Sequence, residues 1–226
     1  ISACLVGSEM CIRDRLLPVS SKVQTSFHPL SLIYTEQDLE VCCFDTPGWV
    51  EGKSLLDEKV RKNIVDTLKN SDLVISFYDP PSWITHTNIV VVSARPKKED
   101  IIEIFKKFAK ESTSFLNDSD QVSLHPTRLF FLDNVRSLLL HKFQEEVPYE
   151  IALMIRGTQD KKVFLDLIVN RESQKGIILA KIGELKKSIQ SILHRTYGKG
   201  YKVVLHVKVE KNWMKNPSKL GEFGYV

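Results

Sequence analysis

Leu39-Glu40-Val41-Cys42-Cys43-Phe44-Asp45-Thr46-Pro47-Gly48 decides how the front of this chain is read. Six mostly apolar residues make a strand, and an acid at its end is followed at once by Thr-Pro-Gly. A strand-end carboxylate suits magnesium, which keeps most of its waters and takes few protein ligands. A glycine three residues on lets backbone approach a terminal phosphate closely. The motif is short, and the rest of the chain has to support it.

Working outward, Ser31–Tyr34 and Glu40–Phe44 read as a strand pair turning at 36–38. Leu55 to Leu68 places apolar residues at 56, 60, 64, 65 and 68, a helical spacing. Leu73–Tyr78 and Ile89–Val92 are short apolar strands, and Asp100 to Phe108 is an amphipathic helix. Strands alternating with helices imply a parallel α/β sheet with ligands at the strand C-terminal ends. Residues 111–120 are polar and read as a linker. Beyond it the order is α-β-β-α-α-β: a helix at 127–143, strands at 150–156 and 162–169, helices at 174–179 and 184–196, and a strand at 201–209.

Charge divides the chain in the same way. From Ser173 to Lys219 there are 11 basic residues and two acids. The rest holds the other 21 of 32 basic and 26 of 28 acidic residues. A basic back half points to a polyanionic partner. No run approaches the roughly 18 apolar residues of a membrane span, and Cys4 to Ile12 has no basic leader. The four cysteines lack zinc or disulfide-framework spacing and read as reduced, with Cys42 and Cys43 on opposite strand faces. The six histidines share no ligand spacing. Residues 1–15 show no clear period or cap logic and are set aside from the fold as non-native.

Several stretches together resemble the Era family of GTPases, which pair a Ras-like GTPase domain with a C-terminal type II KH domain. Pro18 to Thr25 resembles the first switch, and Asp45-Thr46-Pro47-Gly48 the entry to the second. Ser93-Ala94 resembles the loop that contacts guanine. Glu145 to Tyr149 matches the approach to the KH domain, and Lys208 to Trp213 with Leu220–Tyr225 the family's C-terminal end. The resemblance implies an incomplete Ras-like α/β sheet over 16–117 and an α+β type II KH domain over 118–226. It implies Thr25, Asp45, Thr46, Pro47, Gly48, Ser93 and Ala94 as nucleotide-binding equivalents, with Thr25 and Asp45 at Mg²⁺. It implies RNA binding by Ala180, Lys181, Ile182 and Gly183, backed by Lys186, Lys187 and Arg195.

The departures are as informative. Gly7-Ser8-Glu9-Met10-Cys11-Ile12-Arg13-Asp14 stands where the family has Gly-x-x-x-x-Gly-Lys-Ser/Thr, whose N–H groups and lysine cradle phosphate. Only 79–88 separates two apolar runs between which the family places an Asn-Lys-x-Asp guanine reader. A parallel crossover takes about a dozen residues, so a helix, a strand and that reader are expected to be missing. An incompletely assembled gene is the leading explanation, and true degeneration the other. The KH loop has Ala180 where the family has glycine, with an expected loss of freedom at positive φ. Trp49, not glutamine, follows Gly48, and no catalytic residue is nominated.

By resemblance, the parent protein binds GTP and Mg²⁺ and grips small-subunit rRNA near its 3′ end. It assists small-subunit assembly as a monomer, with peripheral membrane contact as a further option. It would work in the cytoplasm of a bacterium, or in a mitochondrion or plastid. This chain is expected to be inactive alone as a GTPase. The alternative is a KH-type RNA-binding protein that needs no nucleotide.

Overall fold

The computed structural model describes residues 2–5, 29–36, 38–47, 54–82, 84–93, 96–114, 124 and 126–225. The chain divides into two compact units that part chiefly between His125 and Pro126.

The first unit is built on a five-stranded sheet in the order β2-β3-β1-β4-β5. Its strands are β1 (Ser2–Leu5), β2 (Leu30–Glu36), β3 (Leu39–Asp45), β4 (Leu73–Ser76) and β5 (Ile89–Val91). β2 and β3 form an antiparallel pair, as expected, and β3, β1, β4 and β5 run parallel. Val41, Cys43, Leu73 and Ile75 are buried, and Cys42 is only partly so, which places the two adjacent cysteines on opposite faces. Helix α1 (Leu55–Lys69) buries Leu56, Val60, Ile64 and Leu68, one residue per turn along one stripe. Helix α2 (Lys98–Phe108) buries Ile101 and Phe105.

Two features differ from the sequence reading. Ser2–Leu5 is not outside the fold: it forms β1 between β3 and β4. Four residues are too few to show a period, and the pairing comes from neighbours far along the chain. The second concerns the short crossover. β4 and β5 are adjacent and parallel, joined by 77–88 without a helix among its described residues. Polar pins hold the connection. His86 accepts from the Asn88 N–H at Nδ1 (3.0 Å) and so donates from Nε2 to the Ser71 carbonyl (2.9 Å). Asn88 Nδ2 donates to the Asp72 carbonyl at 2.9 Å, and Ile84 is buried.

The second unit has the expected α-β-β-α-α-β order. Helix α3 (Thr127–Lys142) precedes the hairpin β6 (Ala152–Gln159) and β7 (Lys162–Val169). Helices α4 (Glu172–Ala180) and α5 (Ile182–Tyr197) follow, then β8 (Lys202–Val209) and a short closing helix α6 (Pro217–Glu222). The sheet order is β6-β7-β8, with β6 antiparallel and β8 parallel to β7. Alternation sends Val163, Leu165, Leu167 and Val169 into one core with Phe131, Val135 and Leu139 of α3 and Leu185 and Ile189 of α5.

The other side of α3 buries Asp133, Arg136 and Ser137. Arg136 Nη2 donates to Tyr225 Oη at 2.6 Å and its Cζ lies 5.7 Å from the ring centre, which fastens the C-terminus to α3. Burial pushes the Asp133 carboxyl up to about 7, against the opposing pull of Arg136. A carboxyl raised in the folded state binds more protons there than when unfolded. Its stabilising protonated form is therefore present at low pH and lost as pH rises through the folded value. Stability is expected to fall between about pH 4 and pH 7, by at most about 4 kcal/mol from this group. Asp133→Asn should flatten that slope, read as urea midpoints at pH 5 and pH 8. An unchanged slope would exclude Asp133 as its source.

Candidate nucleic-acid interface

Strand direction sets the corner at which the resemblance expects nucleotide. Parallel pairing puts Asp45, the last residue of β3, opposite Leu5, the last of β1. Ser93 follows the end of β5 on the same C-terminal edge and is exposed. Three strand spacings separate β3 from β5, about 14 Å. Thr46 and Pro47 are buried. Desolvation raises the Asp45 carboxyl to about 7, and among the described residues no cation lies within ion-pair distance. A half-buried carboxyl with no counter-charge among the described residues suits a divalent ion, which would offset the cost of ionising it. Thr25, Gly48 and Ala94 lie outside the described residues. The phosphate side does not fit in sequence: the stretch 7–14 carries no Gly-Lys-Ser/Thr, the lysine-bearing cradle that a triphosphate needs.

The junction of α4 and α5 is better preserved. α4 ends at Ala180 and α5 begins at Ile182, with Lys181 alone between them at φ −110°. The expected four-residue loop is thus a one-residue turn. None of 180–183 has positive φ, because Ala180 and Gly183 are helical. The expected conformational penalty at Ala180 is therefore absent. Gly183 is more informative. A Cβ there would meet nothing within 4 Å, so packing within the chain does not require glycine. Glycine inside a helix costs about 0.5–1 kcal/mol relative to alanine. Its bare backbone leaves room for something outside the protein to come close.

Around this turn the polar and apolar groups separate cleanly. Ile178 is fully buried and belongs to the core. Its neighbours Ile177 and Leu179 are 45% and 46% exposed and flank the turn. Their exposure was readable from the sequence, since a helix cannot turn three consecutive apolar residues inward. Ile182 packs partly against the core. Lys181, Lys186, Lys187 and Arg195 are all exposed. Lys181 Nζ lies 5.6 Å from the centre of the Phe143 ring and 3.4 Å from the Lys142 carbonyl, a loose tether. Lys142 itself pairs with Glu184, which neutralises the one acid in the first turn of α5. Gln174 fixes the other end of α4. Its Oε1 accepts from the Asn170 and Arg171 N–H groups at 3.0 Å, and its Nε2 donates to Glu150 at 2.5 Å. Trp213 is fully buried and its Nε1 donates to the Glu150 carbonyl, so it offers no stacking surface.

Fold and site together define an incomplete Ras-like GTPase sheet followed by a type II KH domain. No protein-family model matches the chain. It is 25% identical to GTPase Era of Caldanaerobacter subterraneus subsp. tengcongensis, a match covering 95% of this chain and 91% of the relative. That match runs over 270 residues where this chain has 226, so at least 44 positions of the relative have no counterpart here. Two solved structures share the fold. One is Era in complex with MgGDPNP and nucleotides 1506–1542 of 16S ribosomal RNA. The other is a single-residue variant of Aquifex aeolicus Era bound to GDP and aluminium fluoride. Each has 19% identity and a TM-score of 0.83, covering 100% of this chain and 98% of the other. The family that this chain resembles along nearly its whole sequence, and whose fold it shares, is Era.

Among the described residues no helix is long and apolar enough to cross a membrane, and no group of three or more His, Cys, Asp or Glu could hold a metal.

Proposed function

We propose that this chain is an Era-like protein that binds small-subunit rRNA near its 3′ end and assists assembly of the small ribosomal subunit. The α4–α5 turn supports this most directly: a glycine that the fold does not need, two exposed apolar side chains and four exposed cations lie along one short stretch. Single-stranded RNA needs a close backbone approach for its phosphates and apolar contacts for its bases. The chain works as a monomer, in the bacterial cytoplasm or, in a eukaryote, in a mitochondrion or plastid.

Nucleotide enters differently. When bound in the relatives, GTP with Mg²⁺ supplies a switchable anionic centre. In this chain Asp45 would hold the ion through water, and the stretch 7–14 lacks the Gly-Lys-Ser/Thr of a phosphate cradle. RNA binding by this chain therefore proceeds without nucleotide. Fluorescence polarisation with a labelled rRNA 3′-tail oligonucleotide should give the same affinity with and without GTP and Mg²⁺. A fluorescent GTP analogue should not bind at low-micromolar concentration. Mg²⁺-dependent binding of that analogue would restore the GTPase reading, and failure to bind the oligonucleotide at low salt would remove the RNA reading.

A further inference from the structure

Helix α4 carries the turn, yet little holds it to the rest of the fold. Of its nine residues only Gln174 and Ile178 are buried. Ile178 is an apolar anchor in the core. Gln174 is the second anchor, and it is polar, with 3% of its surface exposed. Gly176 lies between them, where a Cβ would meet nothing within 4 Å, so the helix carries an unfavourable residue that packing does not require. A helix this short depends on its tertiary contacts to form at all. One anchor would leave it free to pivot, and two fix its direction.

Both polar atoms of Gln174 are used by groups outside α4. Oε1 takes the Asn170 and Arg171 N–H groups, and Nε2 gives to the Glu150 carboxylate. Glu150 is itself held, because the buried Trp213 indole N–H donates to its carbonyl and Arg171 Nη2 lies 3.7 Å from its Oε1. The chain entering α4 is tied to the chain leaving β8. The Asn212 N–H donates to Asn170 Oδ1 at 2.6 Å, and the Glu210 N–H donates to the Val169 carbonyl at 2.9 Å. Asn212 stands at φ 58°, a left-handed conformation that asparagine tolerates better than most residues. The start of α4 is thus fixed by residues 24 and 42 positions away in sequence. The Glu150–Gln174 pair is also chemically matched. Glutamate or glutamine can serve at the third position of a helix, but a carboxylate there would face that of Glu150. From Gln174 to Ala180 the helix rises about 9 Å, so a tilt at the anchored end becomes a displacement at the turn.

We propose that Gln174 is the positioning residue of the α4–α5 turn: by joining Glu150 to the backbone at 170–171, it fixes the angle at which α4 presents the turn to single-stranded RNA. This rests on the RNA reading above. Gln174 is too buried to touch the RNA, so its effect passes through α4 alone. Without its hydrogen bonds α4 pivots on Ile178, and only the fraction of chains with the turn in place binds.

The test follows polarisation of a labelled rRNA 3′-tail oligonucleotide with the full chain across a salt series. Gln174→Met keeps the length of the side chain and removes its hydrogen bonds. It should weaken binding on the order of 10-fold, as when about a tenth of the chains hold the competent arrangement. The salt slope should not change, because Lys181, Lys186, Lys187 and Arg195 remain exposed. Gln174→Glu should lose as much, since two carboxylates then face each other. Combined with Glu150→Gln it should recover wild-type affinity, because the amide at 150 then donates to the carboxylate at 174. Each protein is compared at a temperature where circular dichroism shows it folded. If Gln174→Met does not fold, Gln174→Glu and the exchanged pair carry the comparison. Wild-type affinity in folded Gln174→Met would overturn the proposal, since a merely structural role lowers stability and leaves the folded protein binding normally. So would an exchanged pair that stays weak, or a loss accompanied by a smaller salt slope, which would mean a lost phosphate contact. Failure of the RNA reading appears separately, as failure of the wild-type chain to bind the oligonucleotide.

Discussion

Exchange of Lys181 and Lys187 for glutamate should lower affinity for a single-stranded rRNA tail by on the order of 100-fold at low salt, with little change in melting temperature. The two lysines are exposed, one at the α4–α5 turn and one in the second turn of α5, and among the described residues no ion pair holds either. Each phosphate contact to a single strand accounts for a salt slope of about 0.7, so losing two should reduce the slope by about 1.4. Stability should hold because the core side of α5 is formed by Leu185, Ile189, Ile192 and Leu193, which the exchange leaves alone. Filter binding across a salt series gives both quantities. A variant with wild-type affinity and slope would move the RNA site away from this turn.

Trp213→Ala carries the largest expected cost in stability. The ring is fully buried, with Phe223 edge-on at 5.7 Å and Tyr225 stacked at 5.6 Å. Its Nε1 donates to the Glu150 carbonyl at 3.2 Å. Truncation leaves a large cavity and an unsatisfied carbonyl, and losses of about 3–5 kcal/mol are typical of Trp→Ala in a core. The C-terminal segment should loosen from α3 as well, because Tyr225 would lose the ring it stacks on. Urea unfolding followed by circular dichroism, with hydrogen exchange at 217–225, checks both effects. A loss below about 1 kcal/mol would mean that the segment contributes little to the second unit.

The second unit was legible in the sequence because its elements are local and periodic. β7 falls at 162–169 as read, since alternating Val163, Leu165, Leu167 and Val169 leave one solution. The same alternation hid Asp166, an acid inside an apolar run, whose counter-ions come from strands remote in sequence. In the first unit, β2 and β3 were readable as a hairpin. β1 was not, because a four-residue strand has no pattern of its own and is defined by its partners. α2 begins two residues earlier than its apolar spacing indicates, at Lys98, since polar first turns give no periodic signal. β4 stops at Ser76 rather than running on to Tyr78, where the Ser76 hydroxyl bonds the Tyr78 carbonyl at 2.5 Å and bends the chain.

The direct 77–88 link between β4 and β5 has a consequence for how such a chain can arise. In a parallel sheet each strand-plus-helix unit begins and ends at the same edge. Excising a whole unit returns the chain to the edge from which the next strand must start, so the downstream strand keeps its direction and can pair with a new neighbour. Excising half a unit would deliver the next strand from the wrong edge. The parallel register of Val74, Ile75 and Ser76 with Ile89, Val90 and Val91 is the pairing that excision of a whole unit would leave. Modularity of this kind lets a shortened gene product keep its sheet while losing the loop that the removed unit presented.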